Sequence, residues 1–199
     1  DPEYTPLVKG LAAIRSGRDG RAQMIASELE KIGIYGSLEG AYKHVGERRL
    51  IGRTHFARFL VEQGHAKDVK SVFKHYLVKG KPGYAPHEWA PLSDAVSWIS
   101  DSGGRAVIAH PGRYDLGKNV LADLLNEFCN LGGAALEVIT ASHTPEQASQ
   151  FARHAQNMTL LTSCGSDFHG PGESFFDLGQ LPEFPAGCTP VWHDWKSVT

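Results

Sequence analysis

The sequence predicts an α/β fold built around a parallel sheet, and two observations support that prediction. First, helical stretches and short apolar runs alternate through the C-terminal half, as they do when each helix returns the chain to a neighbouring strand. Second, two of the apolar runs stop abruptly at polar side chains. Residues 106–109 lead directly into His110, and residues 160–163 lead into Asp167 and His169. Parallel strands of an α/β barrel end at one rim, so these side chains are expected to meet there.

The N-terminal half carries helical rather than strand patterns. Apolar residues spaced three and four apart predict two amphipathic helices, which end at Gly33 and Gly80. Their apolar positions are Ala22, Ile25, Ala26, Leu29 and Ile32 in the first helix, and Val69, Val72, Phe73, Tyr76 and Leu77 in the second. Thr54 is predicted to be the N-cap of a shorter helix between them.

Three helix–strand pairs are predicted after residue 86. Ser93 is expected to cap the first helix, which two consecutive glycines end before the strand that leads to His110. Further strands are predicted at residues 135–139 and 159–163. The helix between these two strands begins at Thr144, because a proline at the first helical position and a glutamine at the third complete a capping box.

Length and composition indicate one globular domain with an insertion. The chain has 199 residues and a formal net charge of −2, so no overall positive field points to nucleic-acid binding and any anion site must be local. We predict a helical insertion at residues 20–83, with residues 1–19 and 84–199 forming the α/β portion. Three widely spaced cysteines without a CxxC pair favour a reducing compartment, the cytoplasm, over a disulfide framework. The four tryptophans are predicted to be packing residues.

The strand ends have the side chains of a metal site. In an extended segment alternate side chains point the same way, so Asp167 and His169 can face one ion together. Carboxylate and imidazole ligands suit Zn²⁺, Mn²⁺ or Fe²⁺ better than Ca²⁺. Structural interpretations stay open, because a lone strand-end histidine such as His110 often only packs and a Ser-Asp pair often caps a helix. His143, at the next strand end, faces the predicted site without a carboxylate beside it.

Five cationic residues lie in glycine-bounded turns or at a predicted helix start rather than along helix faces. Taken singly, each is most simply a solvated surface charge. As a group they favour phosphate recognition, because flexible turns and helix N-termini let an anion approach main-chain N–H groups. The five are Arg18, Arg21, Arg53, Lys81 and Arg113.

Four sequence blocks, in this order, resemble the PHP-domain metallophosphoesterases, named after polymerase and histidinol phosphatase. The blocks are Arg-Thr-His-Phe-Ala-Arg at residues 53–58, Gly-Lys-Pro-Gly-Tyr at residues 80–84, Ala-His-Pro-Gly-Arg-Tyr at residues 109–114, and Gly-Ser-Asp-Phe-His at residues 165–169. The most similar branch contains the bacterial nucleoside 3′,5′-bisphosphate phosphatases, which overlap with a 5′-3′ exoribonuclease. The resemblance extends over essentially the whole chain.

This resemblance implies a distorted (β/α)₇ barrel with a cluster of up to three metal ions, usually Mn²⁺ and sometimes Zn²⁺ or Fe²⁺. It assigns metal ligation to His110, Asp167 and His169, with the last two also catalytic. It also implies that the arginines around the helical insertion hold a nucleotide phosphate. The residues assigned to substrate in this way are Arg18, Arg21, Arg53 and Thr54, to which Lys81 and Arg113 are added.

The chain departs from the family pattern at one end. The family's opening His-x-His strand, an Asp-His-Asp block, a ligand glutamate and a further histidine have no counterpart in the sequence. We therefore expect an incomplete barrel, which a separate N-terminal polypeptide could complete. The predicted function is hydrolysis of the 3′-phosphate of nucleoside 3′,5′-bisphosphates, of 5′-phosphorylated short RNA, or both. The alternatives are an inactive nucleotide- or RNA-binding fragment, and a phosphatase for another small phosphomonoester.

Overall fold

The structure is a computed structural model, and it describes residues 1–87, 89–168, 170 and 176–195. The chain divides into two compact units. One comprises residues 1–7 and 91–199, and the other comprises residues 8–90. Each unit has its own hydrophobic core. None of the helices in the described ranges is long and apolar enough to span a membrane.

The unit of residues 8–90 is built from helices, and its described part contains no strand, as the apolar spacing predicts. The N-terminal helix α1 begins at Thr5 and ends at Glu30. It therefore runs through residue 20, where the sequence predicted the start of the insertion. It is followed by α2, α3 and α4, the last of which continues as a π-helical turn. Their bounds are Ser37–Tyr42, Arg53–Glu62, Val69–Val72 and, for the π-helical turn, Phe73–Leu77.

The predicted apolar stripes form the core of this unit. Ile25, Leu29, Phe56, Leu60 and Leu77 are fully buried in one cluster. One predicted stripe position behaves differently, because the helix ends before it and the chain turns at a glycine with φ of +84°. Ile32 is consequently 45% exposed.

Helix α3 begins two residues earlier than an N-cap at Thr54 requires, so that assignment is wrong. The N-cap is Gly52, whose N–H donates to Nδ1 of His55 at 3.0 Å. The His55 ring, at the third helical position, accepts the hydrogen bond from the N-cap N–H. In most capping boxes a glutamate or glutamine side chain accepts it. Thr54 instead occupies the second position of the helix.

The unit of residues 1–7 and 91–199 contains a three-stranded parallel sheet in the order β1-β2-β3. The strands are Val107–Ile108, Ala135–Thr140 and Leu161–Gly165. Three helices of this unit, α5, α6 and α7, span Leu92–Asp101, Lys118–Asn130 and Pro145–Asn157. The alternation and the parallel pairing confirm the predicted α/β arrangement, while the closed seven-stranded barrel stays a prediction.

The sequence predicted N-caps for two helices of this unit, one correctly and one wrongly. The capping box at Thr144 is confirmed, since its side chain accepts from the Gln147 N–H at 3.2 Å and Gln147 Oε1 accepts from the Thr144 N–H at 2.9 Å. The predicted cap at Ser93 is wrong, because α5 begins at Leu92 after Pro91. A proline fixes the backbone at that boundary without a side-chain hydrogen bond.

Candidate metal and phosphate sites

The first candidate site lies at the carboxyl ends of the strands, where two residues have unusual backbones. His110 follows β1 with φ of +37°, and Asp167 follows β3 with φ of +49°. Residues other than glycine rarely adopt this left-handed conformation, which costs of order 1–3 kcal/mol and persists only where the surrounding structure imposes it. Both residues are predicted metal ligands, so the strain coincides with the side chains that carry the chemistry.

Glu137 joins these two residues from the central strand, and sequence reasoning missed it. Its Oε2 accepts a hydrogen bond from the His110 N–H at 2.5 Å. A Cβ atom at position 165 would lie 3.0 Å from its Oε1, so glycine leaves room for the carboxylate there. Burial raises the pKa of Glu137, and the negative charge of Asp167 contributes in the same direction. An available signal was that Glu137 is the single charged residue in an apolar strand.

The side chains at this rim are of the types that bind divalent metal ions. Nδ1 of His110 is buried and has no hydrogen-bond partner, so a nitrogen able to bind a metal is held away from water. Glu137 and Asp167 supply carboxylate oxygens beside it, and nitrogen with oxygen ligands suits Mn²⁺, Fe²⁺ or Zn²⁺. The third predicted ligand, His169, lies outside the described residues. Within the described ranges, no group of three or more histidine, cysteine, aspartate or glutamate side chains is arranged to hold a metal.

Arg113 lies at this rim as well, but on a carboxylate rather than on an open surface. Its guanidinium donates to Oδ2 of Asp167 at 2.7 Å. The pair neutralises part of the negative charge that Asp167 and Glu137 bring together. A role for Arg113 in substrate binding therefore stays a prediction, and it would require the guanidinium to exchange or share this partner.

His143, which the sequence left open, has both ring nitrogens engaged. Its Nδ1–H donates to the Val138 carbonyl oxygen at 2.8 Å, and its Nε2 accepts from the Gly112 N–H at 2.9 Å. Burial lowers its pKa, which keeps the ring neutral and able to accept. His143 therefore fixes the turn after His110 to the end of β2, and its described contacts leave no nitrogen for a metal.

The second candidate site is a cluster of arginines in the helical unit. Each guanidinium donates to a main-chain carbonyl oxygen: Arg18 to Leu50 at 3.5 Å, Arg21 to Ala85 at 3.2 Å, and Arg53 to Leu77 at 3.4 Å. Among the residues that the structure describes, none of the three pairs with a carboxylate. Burial lowers the pKa of Arg21, and the positive charges of Arg53 and Arg18 lower it further.

Three close, partly desolvated cations without a carboxylate are suited to bind a multiply charged anion. Guanidinium groups form charge-assisted, often bidentate hydrogen bonds with phosphate oxygens. The structure brings Arg18, Arg21 and Arg53 close together, although Arg18 and Arg21 lie within α1 and not in the expected glycine-bounded turns. Thr54 follows Arg53 in the first turn of α3, whereas Lys81 is exposed and its main-chain N–H bonds within a turn to Val78.

Sequence reasoning also missed His87 and Trp89 beside this cluster. Burial lowers the pKa of His87, and the positive charges of Arg21, Arg18 and Arg53 act in the same direction. The His87 and Trp89 rings meet edge to face with centroids 4.3 Å apart. Trp89 is 70% exposed, so the expectation that it is simply a packing residue is wrong. An exposed aromatic face next to a cluster of cations is a surface on which a nucleobase can stack.

Comparison with known proteins shows that the chain is similar to enzymes that hydrolyse phosphate esters. No family model matches the sequence. A 3′,5′-nucleoside bisphosphate phosphatase of Chromobacterium violaceum is 46% identical over 197 residues, which is 99% of this chain and 69% of that protein. The 5′-3′ exoribonuclease Rnm of Escherichia coli is 43% identical over 196 residues, 98% of this chain and 66% of the relative. The chain thus spans about two thirds of the length of these relatives.

Two solved structures are also similar to this chain in fold and sequence. An amidohydrolase from Chromobacterium violaceum with bound sulfate and no metal is 46% identical, with a TM-score of 0.92 over 96% of this chain and 66% of that one. A structure described as a metal-dependent phosphoesterase from Bifidobacterium adolescentis is 26% identical, with a TM-score of 0.79 over 92% and 65% of the two chains. The chain therefore belongs to the PHP-domain metallophosphoesterases, in the branch of the nucleoside 3′,5′-bisphosphate phosphatases and 5′-3′ exoribonucleases.

Proposed function

We propose that this chain provides the phosphate site and part of the metal site of a metal-dependent phosphoesterase. Its substrates are nucleoside 3′,5′-bisphosphates, from which the 3′-phosphate is removed, and short RNA with a 5′-phosphate. The names of the two curated relatives support this substrate class. The three described cysteines are free thiols, in keeping with action in the reducing cytoplasm.

The observation that carries the proposal is the arginine cluster. Three guanidinium groups without a carboxylate partner in the described chain repel one another, and a bound phosphate would relieve that repulsion. Arg21 and Arg53 are proposed to grip the phosphate that is not hydrolysed, with Arg18 and the first turn of α3 at Thr54 completing its surroundings. Recognition of this second phosphate would explain a preference for bisphosphates over monophosphates. Lys81 is proposed only as a peripheral contact.

Metal ligation is proposed for His110, Asp167 and His169, within a distorted (β/α)₇ barrel. Up to three ions are proposed, with Mn²⁺ favoured and Zn²⁺ or Fe²⁺ as alternatives. When bound, such ions lower the pKa of coordinated water and supply hydroxide near neutral pH. Within this chain, Glu137 orients the His110 backbone, and Arg113 balances the charge of Asp167. The resemblance assigns the remaining ligands to segments that this sequence does not contain, and a separate polypeptide is one proposed source of them.

The test compares Arg21→Met with Arg15→Met, which removes an exposed arginine from the same helix. A charge-assisted hydrogen bond contributes roughly 1.5–3 kcal/mol, or about a 10- to 150-fold change in affinity. Arg21→Met should therefore weaken binding of a nucleoside 3′,5′-bisphosphate by that factor, measured by calorimetry, and raise its KM in proportion. Binding of the 3′-monophosphate and the Arg15→Met values should hardly change. Equal losses for both ligands would refute the assigned phosphate role.

A second candidate function is nucleotide binding without hydrolysis. It is favoured by one specific contrast: the three arginines lie close together in this chain, whereas the opening ligand blocks of the family's metal site have no counterpart in the sequence. The same titration distinguishes the two, provided that phosphate release is followed in parallel with added Mn²⁺. Tight binding of the bisphosphate with no release of phosphate would favour the binding function. Faster release from a sugar or amino-alcohol phosphate would instead favour another phosphomonoester as substrate.

A further inference from the structure

The small net charge of the chain conceals a strong segregation of charge between its two units. Residues 8–90 contain 15 lysines and arginines against 8 aspartates and glutamates. The remaining residues contain 5 lysines and arginines against 14 aspartates and glutamates. The helical unit is therefore strongly basic and the other unit strongly acidic. Three arginines in one phosphate site do not account for an excess of this size.

Much of the excess lies in one short segment, which we call the lysine track. Five lysines occur between residues 65 and 81, at positions 67, 70, 74, 79 and 81, with a single carboxylate among them. All five are exposed, and none pairs with a carboxylate among the residues that the structure describes. The single acidic residue, Asp68, uses its side chain to cap α4, where it accepts from the Ser71 N–H at 2.7 Å.

The helical part of the track, which carries two of its five lysines, is held with those lysines outward. Val72 and Leu77 are fully buried on one side of α4 and the π-helical turn, whereas Lys70 and Lys74 remain exposed. Lysines that served only to shield the core would lie along the apolar face, with their stems covered. These positions instead present ammonium groups to solvent from a backbone that the buried side chains fix in place.

The arginine cluster contacts the chain at two places, one within the track and one just after it. The Arg53 guanidinium lies 5.5 Å from the centre of the Phe73 ring and donates to the Leu77 carbonyl, both on the π-helical turn. Just after the track, the Ala85 carbonyl accepts from Arg21. A polyanion whose terminal phosphate occupied the cluster would thus have the segment that carries the lysines next to it.

We propose that the lysine track binds the sugar-phosphate backbone of single-stranded RNA beyond its 5′-terminal nucleotide. This inference rests on the proposed function, since the arginine cluster sets the position of the terminal phosphate. Flexible ammonium groups without base-reading partners give binding that does not depend on sequence, as an enzyme that degrades RNA stepwise requires. A mononucleotide reaches only the cluster, so the track should distinguish oligomers from monomers.

The test compares two triple variants of equal charge change. Lys67→Gln/Lys70→Gln/Lys74→Gln removes part of the track, and Lys9→Gln/Arg15→Gln/Lys43→Gln removes three exposed cations elsewhere in the same unit. Binding of a 5′-phosphorylated 12-nucleotide RNA is measured by fluorescence anisotropy from 50 to 200 mM salt. Each phosphate contact contributes a slope of about −0.7 for single strands, so the track variant should lose about 2 units of slope. Its affinity should fall by about 10- to 100-fold.

Binding of the nucleoside 3′,5′-bisphosphate and the thermal midpoint should stay unchanged in both variants, which shows that the fold and the arginine cluster are intact. Equal losses of RNA affinity in the two variants would overturn the inference, because net charge alone would then explain them. Unchanged RNA binding together with lost binding to phosphatidylglycerol vesicles would also overturn it. Failure of the proposed function has a different signature, since it would appear as weak bisphosphate binding in the wild-type protein.

Discussion

Replacing Glu137 with Gln should weaken metal binding while leaving the fold intact. The carboxylate accepts a hydrogen bond from the His110 N–H and lies near Asp167, so it contributes both orientation and negative charge to the rim. Glutamine has nearly the same shape and can keep an acceptor oxygen on the His110 N–H. The substitution therefore isolates the charge from the packing.

The expected magnitude follows from the hydrogen bond of Glu137 to the backbone of His110, a proposed metal ligand. Groups that orient a ligand typically contribute 10- to 100-fold to metal affinity, which corresponds to about 1.4–2.7 kcal/mol. The stability of the metal-free protein should stay the same or rise, because the substitution removes a half-buried charge that Asp167 disfavours. A loss of affinity without a loss of stability is the signature of a positioning role.

The assay is calorimetric titration of the metal-free protein with Mn²⁺, together with thermal unfolding of the same samples. Glu127→Gln is the matched control, because Glu127 is exposed on α6 and far in sequence from the strand ends. Unchanged Mn²⁺ affinity in Glu137→Gln would refute the reasoning. A parallel fall in the thermal midpoint would also refute it, since Glu137 would then act only in folding.

Two further predictions concern stability. The lowered pKa of His143 means that the unfolded chain takes up a proton first as the pH falls below about 6.5, so the wild-type protein loses stability there. Its advantage over His143→Phe in urea unfolding should therefore shrink between pH 7.5 and 5.5, and a constant difference would contradict the neutral, accepting ring. Gly133→Ala places a Cβ 2.3 Å from the buried Phe128 ring and should cost about 1–3 kcal/mol in the same assay. Gly17→Ala, in open space within α1, should instead gain up to about 1 kcal/mol, and equal effects would show that the Phe128 contact is not decisive.

The features that the sequence predicted correctly are mostly those whose cause lies within a few residues. The capping box at Thr144 depends on neighbours three positions apart, and the amphipathic stripes depend on helical spacing alone. Arg53 lies at a helix start as expected, but the expectation that Arg18 and Arg21 lie in glycine-bounded turns is wrong, because both lie within α1. Glu137 was missed because its neighbours lie on β1 and β3, which only the parallel pairing brings beside it.

Other errors have equally local explanations. The cap at Thr54 failed because a histidine ring, rather than a glutamate or glutamine, closes the box on Gly52. Trp89 was predicted to be a packing residue, but it is 70% exposed and its ring contacts His87 near the arginines. Exposure of a single aromatic side chain depends on tertiary packing, and no periodicity in the surrounding turn could indicate it.

The left-handed backbones at His110 and Asp167 affect the free energy of ligand binding at this rim. Three contacts impose those conformations: Glu137 on the His110 N–H, His143 on the Gly112 N–H, and Arg113 on Asp167. The cost of the strain is therefore part of the folding free energy rather than of binding. A ligand at this rim finds its partners preorganised, and little conformational entropy remains to be lost when it binds.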